Sequence, residues 1–151
     1  MTQQISELDT RVRLEIFRVF LEQQRAPGVT EVAARTDMTA EEAVKAFERL
    51  AESRAIVLRP GTHELWMANP FSAIPTPFTV ATNESEWYGN CIWDSFGILG
   101  LLRKDGTIRS KCPDCEEPMT VQVEDGRVVS GEGLVHFAVP AAHWWDDIGY
   151  T

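Results

Sequence analysis

Apolar residues Leu8, Val12, Ile16, Val19 and Phe20 recur every three or four positions and predict an amphipathic helix over residues 5–24. Ala26-Pro27-Gly28 ends it. Residues 30–36 predict a short second helix, and Asp37-Met38 a tight turn. Thr39-Ala40-Glu41-Glu42 has the form of a capping box, in which the Thr39 hydroxyl and the Glu42 carboxylate each take an orphan N–H. A third helix comes next, with Ala43, Val44, Phe47, Leu50 and Ala51 facing inward. Ala55–Arg59, a Pro60-Gly61 turn and His63–Met67 then read as a hairpin. Three helices and then a hairpin is the winged helix-turn-helix pattern.

The pattern changes at Asn69. Pro70, Pro75 and Pro77 forbid helix and favour extended chain. Phe71, Ile74 and Phe78 imply that this stretch packs on the second half of the chain. Cys91–Leu102 predicts a buried helix, Lys104–Thr107 a turn, and Thr107–Ser110, Met119–Glu124 and Val128–Ser130 short strands. Asp125-Gly126 is a hairpin signal. Leu134–Val139 alternates weakly and reads as a further strand. The expected fold class is α+β: a winged-helix-like module over residues 1–68, a Pro-rich packed linker over 69–83, and a domain over 84–151 with a short mixed β-sheet and a buried helix.

Composition bounds the function. The chain has 151 residues, 44% hydrophobic and 25% charged, as in ordinary globular proteins. No run of 18 apolar residues is present, which excludes a membrane-spanning helix. Residues 1–7 lack the basic and apolar regions of a secretory signal, so the cytoplasm is the expected compartment. The net charge of −9 is uneven: residues 1–60 carry −1 and residues 61–151 carry −8. An acidic second half is repelled by phosphate. The outward face of the third helix, Glu41, Glu42, Lys45, Glu48, Arg49 and Glu52, has four acids against two bases. That is the wrong sign for a recognition helix, and a structural or interaction module is the favoured reading over nucleic-acid binding.

Candidate chemistry centres on three cysteines, Cys91, Cys112 and Cys115. An odd number in a cytoplasmic protein points to metal binding or thiol chemistry, not to a disulfide framework. If a helix starts near Asn90, Cys91 and Asp94 share its first turn. There the helix dipole lowers a thiol pKa, and the pair offers a soft nucleophile beside an acid–base group. The alternative is a buried cysteine and an acid that merely suits a helix start. Cys112-Pro113-Asp114-Cys115 looks like half of a zinc knuckle. A Cys₃His zinc site would add Cys91 and one of His63, His136 or His143. His136 reads more simply as a strand residue on a polar face. His143 beside Trp144-Trp145 reads as a core-edge residue.

Trp87-Tyr88-Gly89-Asn90-Cys91-Ile92-Trp93-Asp94, the Cys112 segment and Val135-His136-Phe137-Ala138-Val139-Pro140 together resemble the organomercurial (alkylmercury) lyase family. That family also carries an N-terminal winged-helix-like module that does not serve DNA recognition. The resemblance implies protonolysis of a carbon–mercury bond, giving a hydrocarbon and Hg(II), without an organic cofactor. Cys91 matches the attacking thiol and Asp94 the proton-relaying carboxylate; Cys112 matches a supportive cysteine. Mercury(II) is soft and prefers thiolates, so Cys91, Cys112 and Cys115 are the expected metal-binding residues, with zinc the other metal considered at Cys112 and Cys115. An organomercurial substrate, a small thiol or mercuric reductase as acceptor of Hg(II), and a role in mercury resistance are implied as well. The family's second essential cysteine is expected beyond Thr151. Three readings are open: a chain cut short of that thiol, a UGA codon encoding selenocysteine, or Cys112 or Cys115 in its place. The other readings of the residues are a non-catalytic thiol metal-binding module, holding zinc or sensing a soft metal, and then a winged-helix regulator.

Overall fold

The structure is a computed structural model that describes residues 6–149. Helix α1 runs Glu7–Gln23, so the expected start at Ile5 lies outside the described residues, as do Tyr150 and Thr151. The Ser6 hydroxyl caps α1 by accepting the Asp9 N–H at 3.1 Å, and left-handed Gln24 ends it. Helices α2 (Val29–Thr36) and α3 (Ala40–Glu52) come next. The capping box is formed: the Glu42 N–H donates to the Thr39 hydroxyl at 3.2 Å, and the Thr39 N–H to the Glu42 carboxylate at 2.8 Å.

The inner faces differ from the periodic reading in detail. On α1, Val12, Ile16, Val19 and Phe20 are buried but Leu8 is exposed. Two acids are buried there instead, Asp9 and Glu15. Arginines from the neighbouring helices compensate them. Arg49 of α3 grips Asp9 through Nη2 at 2.6 Å and Nε at 3.1 Å, and Arg35 of α2 reaches Glu15 at 3.0 Å. Buried charges persist when paired and hydrogen-bonded in this way. On α3, Ala46 is buried and Val44 only half-buried. Both outward bases of α3 are already engaged, Lys45 with Glu41 and Arg49 with Asp9.

Strands β1 (Val57–Leu58), β2 (Leu65–Ala68) and β3 (Phe71–Ser72) form an antiparallel sheet in that order. The second sheet contains β4 (Thr79–Ala81), β5 (Glu86–Tyr88), β6 (Gly106–Lys111), β7 (Pro118–Glu124) and β8 (Arg127–Ser130). Its order is β5-β4-β6-β7-β8 and every pair is antiparallel, which corrects the expectation of a mixed sheet. The physical reason is that most of the connections are short turns, and none of them is a helical crossover to a parallel neighbour. Residues 69–83, expected as an extended stretch, supply β3 and β4.

Helix α4 (Ile92–Leu102) packs on β3, β4 and β6. The sequence predicts a buried helix, but only one face is buried. Ser95, Ile98 and Leu99 are buried, whereas Trp93 is 58% and Leu101 59% exposed. Leu134–Val139 is not a strand. Gly131 and Gly133 before it adopt φ of 118° and 141°, conformations open to glycine, and they turn the chain away from the β8 ladder. The segment is held by rings instead: Phe137 packs edge-on to Trp93 (6.1 Å) and against Trp144 (5.5 Å). Further on, Arg54 lies over the Trp145 ring at 5.1 Å.

One hydrophobic cluster joins both halves, from Val12, Phe20 and Phe47 through Phe71 to Val80, Trp87, Ile98 and Ile108. Phe71 stacks on Phe20 at 5.3 Å and meets Phe17 and Trp87 edge-on, each at 6.1 Å. The Trp87 indole donates to the Phe20 carbonyl at 2.7 Å. No described helix is long and apolar enough to cross a membrane.

Hydrogen bonding from Arg49 holds the Asp9 carboxyl below its ordinary value, against the opposing effect of burial. A depressed folded-state pKa contributes stability that is present above the unfolded value and lost as pH falls through the folded one. Asp9→Asn should therefore destabilise the fold by about 2 kcal/mol at pH 7 in urea unfolding. The gap between variant and wild type should narrow below about pH 4, the ordinary range of an aspartate carboxyl. An equal gap at both pH values would contradict the pairing.

Candidate functional site

The site is built on the first turn of α4. Gly89 closes the approach to it: its N–H donates to the Phe78 carbonyl and its carbonyl accepts the Thr76 hydroxyl at 2.7 Å. A Cβ at Gly89 would lie 2.6 Å from the Ser95 hydroxyl and 3.0 Å from the Ser95 N. Only glycine lets this loop pass so close to the helix start. Cys91 is the N-cap, with extended φ and ψ of −147° and −179°. Its Sγ accepts the Asp94 N–H at 3.5 Å, and its carbonyl accepts the Ser95 N–H and hydroxyl, each at 3.0 Å. Cys91 and Asp94 thus share one helical turn, as the spacing predicts.

Asn90 orders the carboxylate, a role the sequence pattern does not reveal. Its Nδ2 donates to Asp94 Oδ2 at 3.0 Å. The same nitrogen faces Asn69 Oδ1 at 3.1 Å and the carbonyls of Pro70 and Phe71 at 3.4 Å. A flipped amide would set its oxygen against those two carbonyls, so the surroundings fix the orientation. The only sequence signal is an asparagine just before an N-cap. Its importance depends on residues 69–71 returning to the helix, from about 20 residues away in the chain.

The electrostatics depart from the helix-dipole expectation for Cys91. Burial pushes the Cys91 thiol up and the neighbouring Asp94 charge adds to that, outweighing the N–H groups of Asp94 and Trp93. Burial likewise raises the Asp94 carboxyl, opposed by the Asn90 N–H. Both groups are thereby biased towards their protonated forms. Cys112 behaves oppositely: the N–H groups of Cys115 and Asp114, with the Cys115 thiol, hold it below its ordinary value.

Two cavities flank α4. Asp94, Gly97 and Leu101 line one of about 770 Å³, opposite Leu14, Phe17 and Leu21 of α1. Among the described residues Asp94 is the one carboxylate in that mostly apolar lining, which also includes Arg13, Thr10 and Asn69. Ile92 and Phe96 line the other, about 540 Å³, with Cys112, Met119 and the 131–136 segment that includes His136. Cys91 lines neither. His63 pairs with Glu48 at 3.0 Å and His143 with Asp146 at 2.9 Å.

Cys91, Cys112 and Cys115 do not converge. Among the described residues no three His, Cys, Asp or Glu side chains gather at one point that would hold a metal. This corrects the expectation of a Cys₃His zinc site, because structural zinc needs four ligands.

Comparison with known proteins adds to this geometry. The family model described as "MerB: Alkylmercury lyase" matches residues 71–151, which contain α4 and all three cysteines. A solved structure titled as the mercury-bound form of MerB2 superposes with a TM-score of 0.68 at 19% identity. The match covers 85% of this chain and 61% of that one, so the chain spans about three-fifths of the neighbour's length. No curated protein matches the sequence.

The opposed thiol environments set an order of reactivity. At a mildly alkaline pH the thiolate fraction favours Cys112 over Cys91. Limited iodoacetamide treatment and peptide mass mapping should show Cys112 alkylated several-fold faster than Cys91. Faster modification of Cys91 would contradict the burial argument.

Proposed function

Because the chain belongs to the alkylmercury lyase family, we propose that it cleaves the carbon–mercury bond of an organomercurial by protonolysis, with Cys91 as nucleophile and Asp94 as proton donor. The observation that carries this reading is the pair itself: a half-buried thiol and a half-buried carboxyl on one helical turn, the carboxyl tied to Asn90 and lining a mostly apolar cleft. The organic group of the substrate occupies that cleft between α1 and α4. The Cys91 S–H bond breaks, a Hg–S bond forms, and the leaving ligand of mercury departs with the proton. Asp94, biased towards its protonated form, gives its proton to the mercury-bound carbon. The carbon–mercury bond breaks, its electron pair goes to the new C–H bond, and Hg(II) stays on sulfur. A second thiolate, from a small thiol in solution or from a cysteine of the protein, loads electron density onto the carbon and weakens the bond.

The winged-helix-like arrangement of α1–α3 with β1–β3 serves, in this reading, as the wall of the cleft. Leu14, Phe17 and Leu21 of α1 face Asp94 across it. With both bases of α3 held in ion pairs, a packing role suits the module better than nucleic-acid recognition. Passage of Hg(II) to a small thiol or a mercuric reductase, and action in the cytoplasm, complete the proposal.

Phenylmercury turnover with excess thiol tests it. Wild-type protein should release benzene and Cys91→Ser should release none. Asp94→Asn should lose at least about 10²-fold in turnover, the scale of a lost general acid, while still binding phenylmercury. Parallel loss of binding and turnover in Asp94→Asn would assign the carboxylate a structural role instead.

A further inference from the structure

The turn between β6 and β7 carries two thiols that the Cys91–Asp94 pair does not use. It is pinned at both ends. The Cys112 N–H donates to the Glu117 carbonyl and the Glu116 N–H to the Cys112 carbonyl, each at 2.9 Å, just above the Lys111–Pro118 strand pair. Glu116 takes a left-handed φ of 59° to close the loop. Inside it, Cys112 and Cys115 stand three residues apart on one closed turn. Glu117 Oε2 stands 3.9 Å from Cys115 Sγ. Both thiols are free; Cys112 is half-buried and Cys115 exposed.

The donor set selects the ion. Two sulfurs on a short turn, with no third or fourth ligand gathered among the described residues, do not make a tetrahedral zinc site. They suit a soft cation that is satisfied by two thiolates in line. Cys112 also lines the cavity bounded by Ile92 and Phe96, while Asp94 lines the other one. Neither Cys112 nor Cys115 lines the Asp94 cleft.

We propose that Cys112 and Cys115 form a second mercury site, which takes inorganic Hg(II) as a two-coordinate dithiolate independently of Cys91. Two S–H bonds break, two Hg–S bonds form, two protons pass to solvent, and no electrons change hands. The choice of Hg(II) as the ion met in use rests on the proposed function; the two-thiol site does not.

The test uses the full chain, mercuric chloride and glutathione as competing thiol. Bound mercury is measured after gel filtration, and thiolate-to-mercury absorption reports the ligands. Cys91→Ser should retain one equivalent of mercury. Adding Cys112→Ser or Cys115→Ser to it should weaken retention at least about 100-fold, the scale of a lost chelate partner. Cys115 is exposed, so its variant keeps the test sound even if Cys112→Ser fails to fold by circular dichroism. Zinc chloride under the same conditions should not be retained. Loss of all mercury in Cys91→Ser, undiminished retention without Cys115, or equal retention of zinc would each overturn the proposal. Failure of phenylmercury cleavage alone would sink the proposed lyase and leave this site standing.

Discussion

Phe71 is where the helical half and the sheet half become one core. Its ring is fully buried between Phe17 and Phe20 of α1 and Trp87 of β5, and the Trp87 indole is bonded back to the Phe20 carbonyl. Aromatic contacts of this kind add about 0.5–1.5 kcal/mol each beyond area burial. Because the ring is held, its backbone is held. An isolated bridge ties Phe71 to Gly89, and the carbonyls of Pro70 and Phe71 present themselves to Asn90. Asn90 in turn fixes Asp94. The position of the carboxylate is thus tied, through Asn90, to a ring in the core.

That chain of constraint explains the chemistry of the α4 turn. The helix start would by itself favour an ionised thiol, yet partial burial raises both the Cys91 thiol and the Asp94 carboxyl. Desolvation outweighs the N–H groups at the cap. In the proposed cleavage, a carboxyl shifted towards its protonated form suits the delivery of a proton to carbon. The β6–β7 turn offers the reverse environment, where the N–H groups of Cys115 and Asp114 hold the Cys112 thiol below its ordinary value. One chain therefore holds a guarded thiol and an open pair of thiols, on elements that do not share a ligand set among the described residues.

Much of this is legible in the residues. The Thr39–Glu42 capping box, the Asp125-Gly126 hairpin and the Cys91–Asp94 turn are local, and local spacing determines them. The matched family region covers the residues that carry the resemblance. What the sequence pattern misses is tertiary. Leu134–Val139 alternates like a strand, but Gly131 and Gly133 lead it off the sheet and Phe137 anchors it on Trp93. The apolar run of α4 reads as buried all round, yet Trp93 and Leu101 face outward. Asp9 and Glu15 interrupt the apolar face of α1 because arginines 40 and 20 residues away neutralise them. Asn90 gains its role from a segment that only the folded chain brings back.

In the proposed reaction Cys91 holds mercury while Asp94 supplies the proton to carbon. Intact-mass spectrometry of a single turnover with phenylmercury separates those two acts. With Cys112 and Cys115 both replaced by serine, Asp94→Asn should accumulate a protein–mercury–phenyl adduct on Cys91, whereas the protein with Asp94 intact should pass to a mercury adduct that has lost its phenyl group. Loss of phenyl from Asp94→Asn at the wild-type rate would contradict the account.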